Sequence, residues 1–512
     1  MQGLPAIDHA VSGKPAGQGP RRRVVIVGGG LSGAAFAVLL SRYANSALDI
    51  LVIEPRPEPG RGLAYSATDP DHRLNGPLES HAIDPGRPDE LREWCAADGI
   101  LARDPEATLP SGYVFLRRGD YGRYLASQVA AHAVNARTGA TVAHVRDTAT
   151  SAGVRDGVPV VRTESGREYA ADLLVVATGN PVPRLQPPFE PGHGGHPRII
   201  ANPLDTPRLA AIAPEARVLV VGTGLTALDV LSTLVRRDHR APIRVVSRRG
   251  LRPRPHSPDV LGTAPPASPP VETPLDRIMA GVPPFVQALG GNRTLAGLVR
   301  ALRAEIRRNE AAGGTWHGPF DLVRDAVWRI WPELPARDKR RFLKRLRVWY
   351  DIHRFRAPPM NETLVGSAEA RGVVRFERAR VTSVAAPSPD GPVRVGLAAR
   401  DAPPRDHEFD YVVNCTGLDT AAGYLRNPFL QSLAGQGLLC PDDSGLGFRA
   451  TGEGEAVARN GAAQPRIRVV GPPSAGAHGD PLGGVYITAQ IRRILPSVLQ
   501  LLEEPARAWS QV

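Results

Sequence analysis

The sequence predicts an α/β fold built from two Rossmann-like units, the second inserted into the first, with an additional helical insertion. Two apolar runs, residues 24–27 and 217–221, are each followed at once by a glycine-rich turn and then by a helical run. A buried parallel strand, a tight turn and a helix follow one another in this way in doubly wound sheets. Each unit also closes on an apolar run that ends in Thr-Gly, at residues 178–179 and 416–417. The repeated order therefore predicts two units of one plan.

The first unit has the glycine spacing of a dinucleotide-binding turn. Gly28, Gly30 and Gly33 form a G-x-G-x-x-G pattern between a strand and a helix. The first glycine permits the tight turn, the second lets a pyrophosphate approach the backbone, and the third lets the helix pack on the strand. The next strand, residues 48–53, is closed by Glu54. An acid about 20 residues beyond the turn accepts hydrogen bonds from a ribose, so the whole unit predicts a bound dinucleotide.

The second unit repeats the pattern with a different ending. Gly222 and Gly224 are followed by an alanine in the third position, and the next strand ends in Ser247-Arg248-Arg249 instead of an acid. A hydroxyl and two guanidinium groups suit a 2′-phosphate, so this ending favours NADPH over NADH. An exposed basic turn without a ligand is the alternative interpretation.

An acid-ended unit followed by an arginine-ended unit is what a flavoprotein with separate FAD and NADPH domains requires. On these and further motifs the chain resembles the two-domain FAD/NAD(P)-binding flavoprotein monooxygenases, which are class B-like, and most closely the branch of the nitrosuccinate-forming L-aspartate N-monooxygenases. The resemblance extends from about residue 21 to residue 435. Besides the glycine turns, the matching segments are residues 60–66 (GRGLAYS), 74–75, 118–125 (RGDYGRYL), 201–203, 247–250 and 349–353.

The resemblance implies an FAD- and NADPH-dependent monooxygenase that N-oxygenates an amino acid or a small amine, with L-aspartate to nitrosuccinate as the first hypothesis. NADPH would reduce FAD, O₂ would add to the reduced flavin to give a hydroperoxide, and the neutral substrate nitrogen would take the distal oxygen. The implied partners are a small-molecule substrate and O₂.

The expected cofactor-binding residues lie in the glycine turns, at the strand ends and in the matching segments. They are Gly28, Gly30, Ser32, Gly33, Glu54, Arg61, Gly62, Asn75, Arg118, Tyr121, Thr178, Gly179, Gly222, Gly224, Thr226, Ser247, Arg248, Arg249, Thr416, Gly417 and Gly471. His196, between the two units, and His478 and Asp480, in a glycine-rich loop, are candidates for substrate contact. No catalytic residue is assigned, and no metal is expected.

Three alternatives stay open from the sequence. Residues 189–200 follow F-x-x-G-x-x-x-H-x-x-x-I, a degenerate form of the class B monooxygenase fingerprint. Baeyer–Villiger-type oxygenation is therefore one alternative reaction. An NADPH-dependent flavin oxidoreductase or oxidase would use the same cofactors without oxygen transfer. A nucleotide-sensing module would bind FAD without turnover.

Composition argues against other classes of protein. The net charge is +12, but only three of the 63 basic residues are lysine, which suggests base-composition bias, and the excess does not alternate with aromatic residues. Nucleic-acid binding is therefore not expected. Cys95, Cys415 and Cys440 form no CxxC pair and no metal-ligand spacing. No apolar run is long enough to cross a membrane. We expect a cytoplasmic enzyme that could form a homo-oligomer.

The repeats also predict domain boundaries. We expect a disordered tail at 1–20, an FAD-binding domain at 21–188 and 418–512, an NADPH-binding domain at 189–255 and 361–417, and a Pro-rich loop with a helical insertion at 256–360. Within the insertion, Phe342, Leu346 and Trp349 recur at helical spacing and predict one amphipathic helix. Near the C-terminus, residues 469–471 predict a strand and residues 486–502 a helix.

Overall fold

The computed structural model describes residues 21–84, 86–135, 137–263, 274–291, 293–400, 402–417, 423–479 and 483–503. The tail predicted at residues 1–20 lies outside the described residues. The strands are β1 (Arg22–Val27), β2 (Leu48–Ile53), β3 (Thr141–Val145), β4 (Ala149–Arg155), β5 (Val158–Thr163), β6 (Glu168–Ala170), β7 (Leu173–Val176), β8 (Ile199–Ile200), β9 (Val218–Val221), β10 (Ile243–Ser247), β11 (Val374–Ala385), β12 (Val393–Ala399), β13 (Arg405–Phe409), β14 (Tyr411–Asn414), β15 (Glu455–Val457) and β16 (Ala463–Val469).

The helices fall between these strands and form a cluster between β10 and β11. They are α1 (Leu31–Tyr43), α2 (Glu90–Ala97), α3 (Ile100–Arg103), α4 (Arg118–Ala131), α5 (Thr206–Ala210), α6 (Leu225–Arg236), α7 (Pro258–Leu261), α8 (Pro274–Met279), α9 (Pro284–Gln287), α10 (Leu295–Ala311), α11 (His317–Asp325), α12 (Val327–Glu333), α13 (Ala336–Arg341), α14 (Arg347–Arg354), α15 (Pro359–Ala370), α16 (Pro428–Gly435), α17 (Ala475–His478) and α18 (Gly484–Glu503).

The first sheet has the strand order β15-β16-β7-β1-β2-β3. All its neighbouring pairs are parallel except β15 with β16 at one edge. Apolar residues of α1, α4 and α18 cover one face, and the antiparallel strands β4 to β6 with α16 cover the other. Because both faces are buried, the central strands are almost wholly aliphatic.

The second sheet has the strand order β13-β12-β11-β10-β9-β14-β8. Its parallel part runs from β11 to β8, and the long strand β11 continues into an antiparallel meander with β12 and β13. Helices α6 and α15 cover one face of the parallel part. The predicted fold class, two Rossmann-type α/β units, is thereby confirmed. The boundaries proposed for the two domains remain a prediction.

The helical insertion differs from its prediction in one detail. The stripe of Phe342, Leu346 and Trp349 is not carried by one continuous α-helix, because residues Phe342–Leu346 form a π-helical turn between α13 and α14. A π-helical turn closes its hydrogen bonds over five residues instead of four, so it changes the direction of the side chains that follow. Trp349, which follows this turn, is exposed on 45% of its surface.

The C-terminal segment follows its prediction with shifted ends. The predicted strand at 469–471 is β16, which ends at Val469, and the helix predicted at 486–502 extends from Gly484 to Glu503. Gly471 leaves the sheet with a φ of +73°. Within the described residues, no helix combines the length and the apolar character needed to span a bilayer.

The first prediction concerns the turn that opens the second unit. Gly222 has a φ of +117°, and an added Cβ would collide with the Cys415 carbonyl oxygen on the neighbouring strand end. Gly222→Ala should therefore lower the free energy of unfolding by about 2–4 kcal/mol in urea titrations followed by circular dichroism. Gly366→Ala is the matched control, since Gly366 lies exposed within α15 with open space around it, and it should stabilise by roughly 0.5–1 kcal/mol. Equal stability of the two variants would contradict this account.

Candidate functional site

The first glycine turn lies at the carboxyl edge of the first sheet. β1 ends at Val27, and α1 begins at Leu31 with Gly30 as its N-cap residue, whose position supplies no side-chain cap. The first amide groups of α1 are therefore available to an anion, and the helix dipole favours negative charge at this end. Gly33 packs against the carbonyl of Gly28, which brings the helix close to the strand.

Glu54 lies beside this turn, where the sequence places it. Its carboxylate is buried, and Oε2 accepts a hydrogen bond from the Gly29 amide at 2.9 Å. Oε1 accepts from the amide and the guanidinium of Arg56, at 3.1 and 2.9 Å. A ribose hydroxyl would have to share Oε1 with Arg56, a residue that the sequence analysis did not consider.

The segment predicted to lie near a flavin passes over the same turn. A Cβ on Gly62 would lie 2.8 Å from Cα of Gly30, so the two backbones approach as closely as two glycines allow. The Gly60 amide donates to the Gly29 carbonyl at 2.5 Å. Arg61 points to Glu58, with Nε 2.5 Å from its carboxylate. The structure thus brings residues 60–62 and the first glycine turn together.

Unpartnered polar atoms mark the end of β7 at this edge. The Oγ1 atom of Thr178 and the Oδ1 atom of Asn180 are buried and have no hydrogen-bond partner among the described residues. Between them, Gly179 adopts a φ of +69° with open space around its Cα. Buried polar groups normally find partners. These atoms, the bare N-terminus of α1 and Glu54 together fit a dinucleotide such as FAD.

The corresponding strand end in the second unit is satisfied internally. The Thr416 hydroxyl donates to Oδ1 of Asn414 at 2.8 Å, and Nδ2 of Asn414 donates to the Ala201 carbonyl at 3.0 Å. Gly417 follows with a φ of +95°. The residues expected there are therefore placed at the carboxyl edge of the second sheet, held by protein contacts.

The second glycine turn carries the basic ending that the sequence predicts. Gly224 is exposed and caps α6 without a side chain, and Thr226 lies in the first turn of that helix. Ser247 Oγ accepts a hydrogen bond from the Gly250 amide at 3.0 Å, which folds the loop back on itself. Arg248 and Arg249 are exposed on this loop, and neither forms an ion pair with a described residue. Both guanidinium groups are thus available to a phosphate.

Arg118 begins α4 and joins the first unit to the second. Its Nη2 lies 2.8 Å from Oδ2 of Asp229 on α6, and its Nε donates to the Arg73 carbonyl at 3.0 Å. Burial raises the pKa of Asp229, and the Arg118 charge acts in the opposite direction. A phosphate or carboxylate would have to compete with Asp229, so the expected cofactor contact of Arg118 stays a prediction.

Tyr121 and Asn75 have well-defined surroundings in the protein. The fully buried Tyr121 donates its hydroxyl to the His81 carbonyl at 2.9 Å, and its ring meets that of Tyr65 edge-on at 4.9 Å. The Asn75 carbonyl accepts from Nε2 of His256 at 3.1 Å, which connects the first unit to the start of the helical insertion. Their contacts with a cofactor likewise stay predictions.

Two of the remaining expected residues meet near the N-terminus of α1. A Cβ on Gly471 would collide with the hydroxyl of Ser32, and the Gly471 amide donates to Oε1 of Gln490 on α18 at 2.8 Å. The segment after β16 and helix α18 therefore lie close to the first glycine turn. The sequence analysis did not consider Gln490, because a glutamine inside a helix gives no local signal.

Of the three candidates for substrate contact, the structure describes His196 and His478, which have different surroundings. His196 is held outside the second sheet, where Nδ1 accepts from the Arg198 amide and Nε2 donates to the Ser388 carbonyl, each at 3.2 Å. His478 is buried beside α18, its Nε2 has no partner among the described residues, and burial lowers its pKa to about 3. Asp480 lies outside the described residues. The structure does not bring His196 and His478 together.

His81 is a residue near the site that sequence reasoning missed. Its Nδ1–H donates to the Pro77 carbonyl at 3.0 Å, and burial lowers the pKa of the imidazole to about 4, so the ring is neutral. Its ring lies against Gly484, the first residue of α18, and edge-on to Tyr121. A lone histidine in residues 78–84 offered no pattern that could have revealed this position. No group of side chains arranged to hold a metal ion occurs in the described part of the chain.

Comparison with known families agrees with this geometry. A family model described as FAD-NAD(P)-binding matches residues 25–181, and a model described as L-lysine 6-monooxygenase/L-ornithine 5-monooxygenase matches residues 110–264. No curated protein sequence matches the chain significantly. The first model matches the unit that carries Glu54, and the second bridges the two units.

Several solved structures share the fold at low sequence identity. L-lysine 6-monooxygenase from Pseudomonas syringae is 17% identical, with a TM-score of 0.60 over 94% of this chain and 98% of its own. The ornithine N-hydroxylase from Kutzneria sp. 744 is 16% identical, with a TM-score of 0.59 over 94% and 99%. The FAD-bound cadaverine monooxygenase from Erwinia amylovora is 13% identical, with a TM-score of 0.59 over 94% and 95%. The chain therefore has the fold of FAD- and NAD(P)-binding monooxygenases.

The second prediction tests the first glycine turn as the flavin site. Gly30→Val should fold but retain less than about a tenth of the FAD of the unchanged protein, because only Gly62 is close to this position and the added methyl groups would occupy the pyrophosphate's space. Flavin absorbance per folded chain after purification measures the effect. Gly192→Val, at an exposed glycine with open space around it, is the matched control. Full flavin content in Gly30→Val would place the pyrophosphate elsewhere.

Proposed function

We propose that the protein is an FAD- and NADPH-dependent monooxygenase that N-oxygenates an amino acid or a small amine. The observation that carries the proposal is the difference in charge beside the two glycine turns of one fold. The acidic Glu54 lies beside the first turn, and the basic Arg248 and Arg249 lie beside the second. The match to the L-lysine 6-monooxygenase/L-ornithine 5-monooxygenase model, which includes the second fingerprint, supports N-oxygenation in particular.

The residues of the chain would bind and orient the two cofactors. Bound FAD and NADPH supply the redox and oxygen-activating chemistry, which no side chain can provide. Gly28, Gly30 and the N-terminus of α1 would hold the FAD pyrophosphate, with Glu54 at its ribose. Arg248 and Arg249 would pair with the 2′-phosphate of NADPH.

The substrate nitrogen must be neutral to act as a nucleophile. The N-terminus of α18 presents the positive end of its dipole next to the neutral ring of His81. A positive potential disfavours a second positive charge, so an amine brought to this place would lose its proton more readily than in water. We propose that the amine is held close to the N-terminus of α18.

The narrower proposal is that L-aspartate is the substrate and nitrosuccinate the product. It follows from the resemblance of residues 60–66 and 118–125 to the L-aspartate N-monooxygenases. The solved structures of similar fold act on lysine, ornithine and cadaverine, so these three amines are the natural comparison. A cytoplasmic location and a homo-oligomeric state remain predictions from the sequence.

The third prediction tests the preference for NADPH. Arg248→Ala should weaken the use of NADPH roughly 10- to 150-fold and leave the use of NADH unchanged, since a hydrogen bond to a charged group contributes about 1.5–3 kcal/mol. The kcat/KM for each nicotinamide in flavin reduction is the measurement. Arg240→Ala is the control, because Arg240 is an exposed arginine of the same unit that pairs with Glu215. An equal loss for both nicotinamides would move the 2′-phosphate site elsewhere.

The fourth prediction tests the reaction itself. With ¹⁸O₂ and NADPH, one amine from a panel of aspartate, lysine, ornithine and cadaverine should speed NADPH oxidation and acquire label in an N-hydroxy, nitroso or nitro product. Hydrogen peroxide, measured in parallel, reports NADPH that is spent without oxygen transfer. If aspartate fails and another amine is labelled, the reaction class stands and the substrate is corrected. If all NADPH ends as peroxide, a reductase or oxidase becomes the better account.

A further inference from the structure

The helical insertion lines a half-open cavity that the proposed chemistry does not use. Its volume is about 450 Å³, and its walls come from α10, α11, α12, the π-helical turn and α14. Three tryptophans line it, Trp316, Trp331 and Trp349, together with Phe320 and Phe342. Binding sites for small molecules commonly have volumes of roughly 300–1,000 Å³ and largely apolar, aromatic walls. Its size and walls suit one small organic molecule.

Helix α10 shows that the cavity is an incompletely covered apolar surface. Leu298, Val299, Leu302 and Ile306 recur at helical spacing along one stripe of α10 and line the cavity. All four are only half-buried, whereas Leu295 at the start of the same stripe is buried. An amphipathic helix in a soluble fold normally buries its apolar stripe. Water against such a stripe is unfavourable, so the cavity favours an apolar occupant.

The charged groups at the cavity are all basic. Arg303 and Arg347 belong to its lining, and no acidic side chain does. Arg347 is paired with Asp351, with 2.6 Å between the closest atoms. Arg303 is exposed and forms no ion pair with a described residue. His353, also in the lining, donates Nδ1–H to the Trp349 carbonyl, and burial lowers its pKa. An anionic group is therefore matched at Arg303, and an ammonium group is not.

The wall opposite α10 has an unusual backbone. Phe342 and Leu346, the first and last residues of the π-helical turn, both line the cavity. π-Helical turns are rare and occur frequently at functional sites. A regular helix would redirect the side chains that follow, and Trp349, which is exposed and lines the cavity, is one of them.

The cavity also touches the segment that precedes α18. Gly479 and Leu446 close one side of it. Trp331 donates Nε1–H to the Gly476 carbonyl at 2.9 Å, and a Cβ on Gly479 would lie 2.9 Å from Cβ of Trp331. An occupant would therefore contact both the insertion and the first unit.

We propose that this cavity binds an amphipathic organic anion, with an aromatic or medium-chain aliphatic body among the tryptophans and one carboxylate or sulfonate at Arg303. The proposal does not rest on N-oxygenation, since it concerns a binding site outside both fingerprints. A bound anion could be a substrate or a regulator of turnover, and the chemistry of recognition is the same for both.

The test uses the FAD-loaded protein with saturating NADP⁺, so that neither nucleotide site is open to the probe. Anilinonaphthalene sulfonate should bind with a rise in its fluorescence, and octanoate should displace it. Octanol should displace it more weakly and octylamine more weakly still, because only octanoate can pair with Arg303. Equal displacement by octylamine would overturn the assignment of an anion.

Two variants locate the probe. Val299→Phe fills the cavity from α10 and should raise the Kd of the dye at least about tenfold, whereas Ala304→Phe, on the exposed face of α10, should leave it unchanged. Arg303→Gln should weaken octanoate about two- to fivefold, as expected for an exposed charge, and leave octanol unchanged. Arg307→Gln, one turn along and outside the lining, is its control.

Further outcomes separate the remaining explanations. Labelled product from octanoate-like amino acids would identify the bound anion as a substrate. A changed rate of NADPH oxidation with octanoate would identify it as a regulator. Either result supports the site. Unchanged dye binding in Val299→Phe would overturn the proposal. So would a protein dimer that binds no dye and dissociates in Val299→Phe, because the apolar surface would then be a subunit interface.

Discussion

The ion pair between Arg118 and the buried Asp229 is the contact on which the arrangement of the two units depends. Asp229 lies on α6, the helix that begins at the second glycine turn. Arg118 begins α4, which packs against residues 60–66, the segment that passes over the first glycine turn. A buried carboxylate without a partner is strongly unfavourable, so the two units cannot separate here without exposing or protonating Asp229. Thr233 and Arg236 continue the same face of α6 and contact Asp69 and Asp71. These polar contacts along α6 hold the two glycine turns in place relative to each other. Reduction of a flavin by a nicotinamide needs such a fixed relation, because the reacting atoms must approach within a few ångströms.

The sequence was sufficient where the determinants are local. The glycine turns, their flanking strands and the contrast between Glu54 and Arg248-Arg249 are all contained in short segments, since strand, turn and helix follow from neighbouring residues. The structure places each of them at a sheet edge as expected. The same locality explains why the end of α18 and the end of β16 were predicted within a few residues.

Sequence reasoning failed where the partner of a residue lies far along the chain. The ion pair of Arg118 with Asp229, more than a hundred residues away, was not predicted, because no periodic pattern reports such a pair. The contact of His81 with Gly484 is of the same kind. The π-helical turn was missed for a different reason, because Phe342 and Leu346 have the four-residue spacing of an α-helix. The ring contacts of Phe342 with Trp331 and Tyr350 leave no mark in the local sequence.

The helical insertion lies at the edge of the second sheet and contacts the first unit. The insertion follows β10 and returns to the sheet at β11, so it grows from the carboxyl edge of the second sheet, where ligands bind in folds of this type. It then packs on α18 and on residues 475–479 of the first unit. Changes in its helices alter the walls of its cavity without touching Glu54 or Arg248. The residues that line this cavity and the residues expected to bind the cofactors therefore belong to separate parts of the chain, which meet at the N-terminal end of α18.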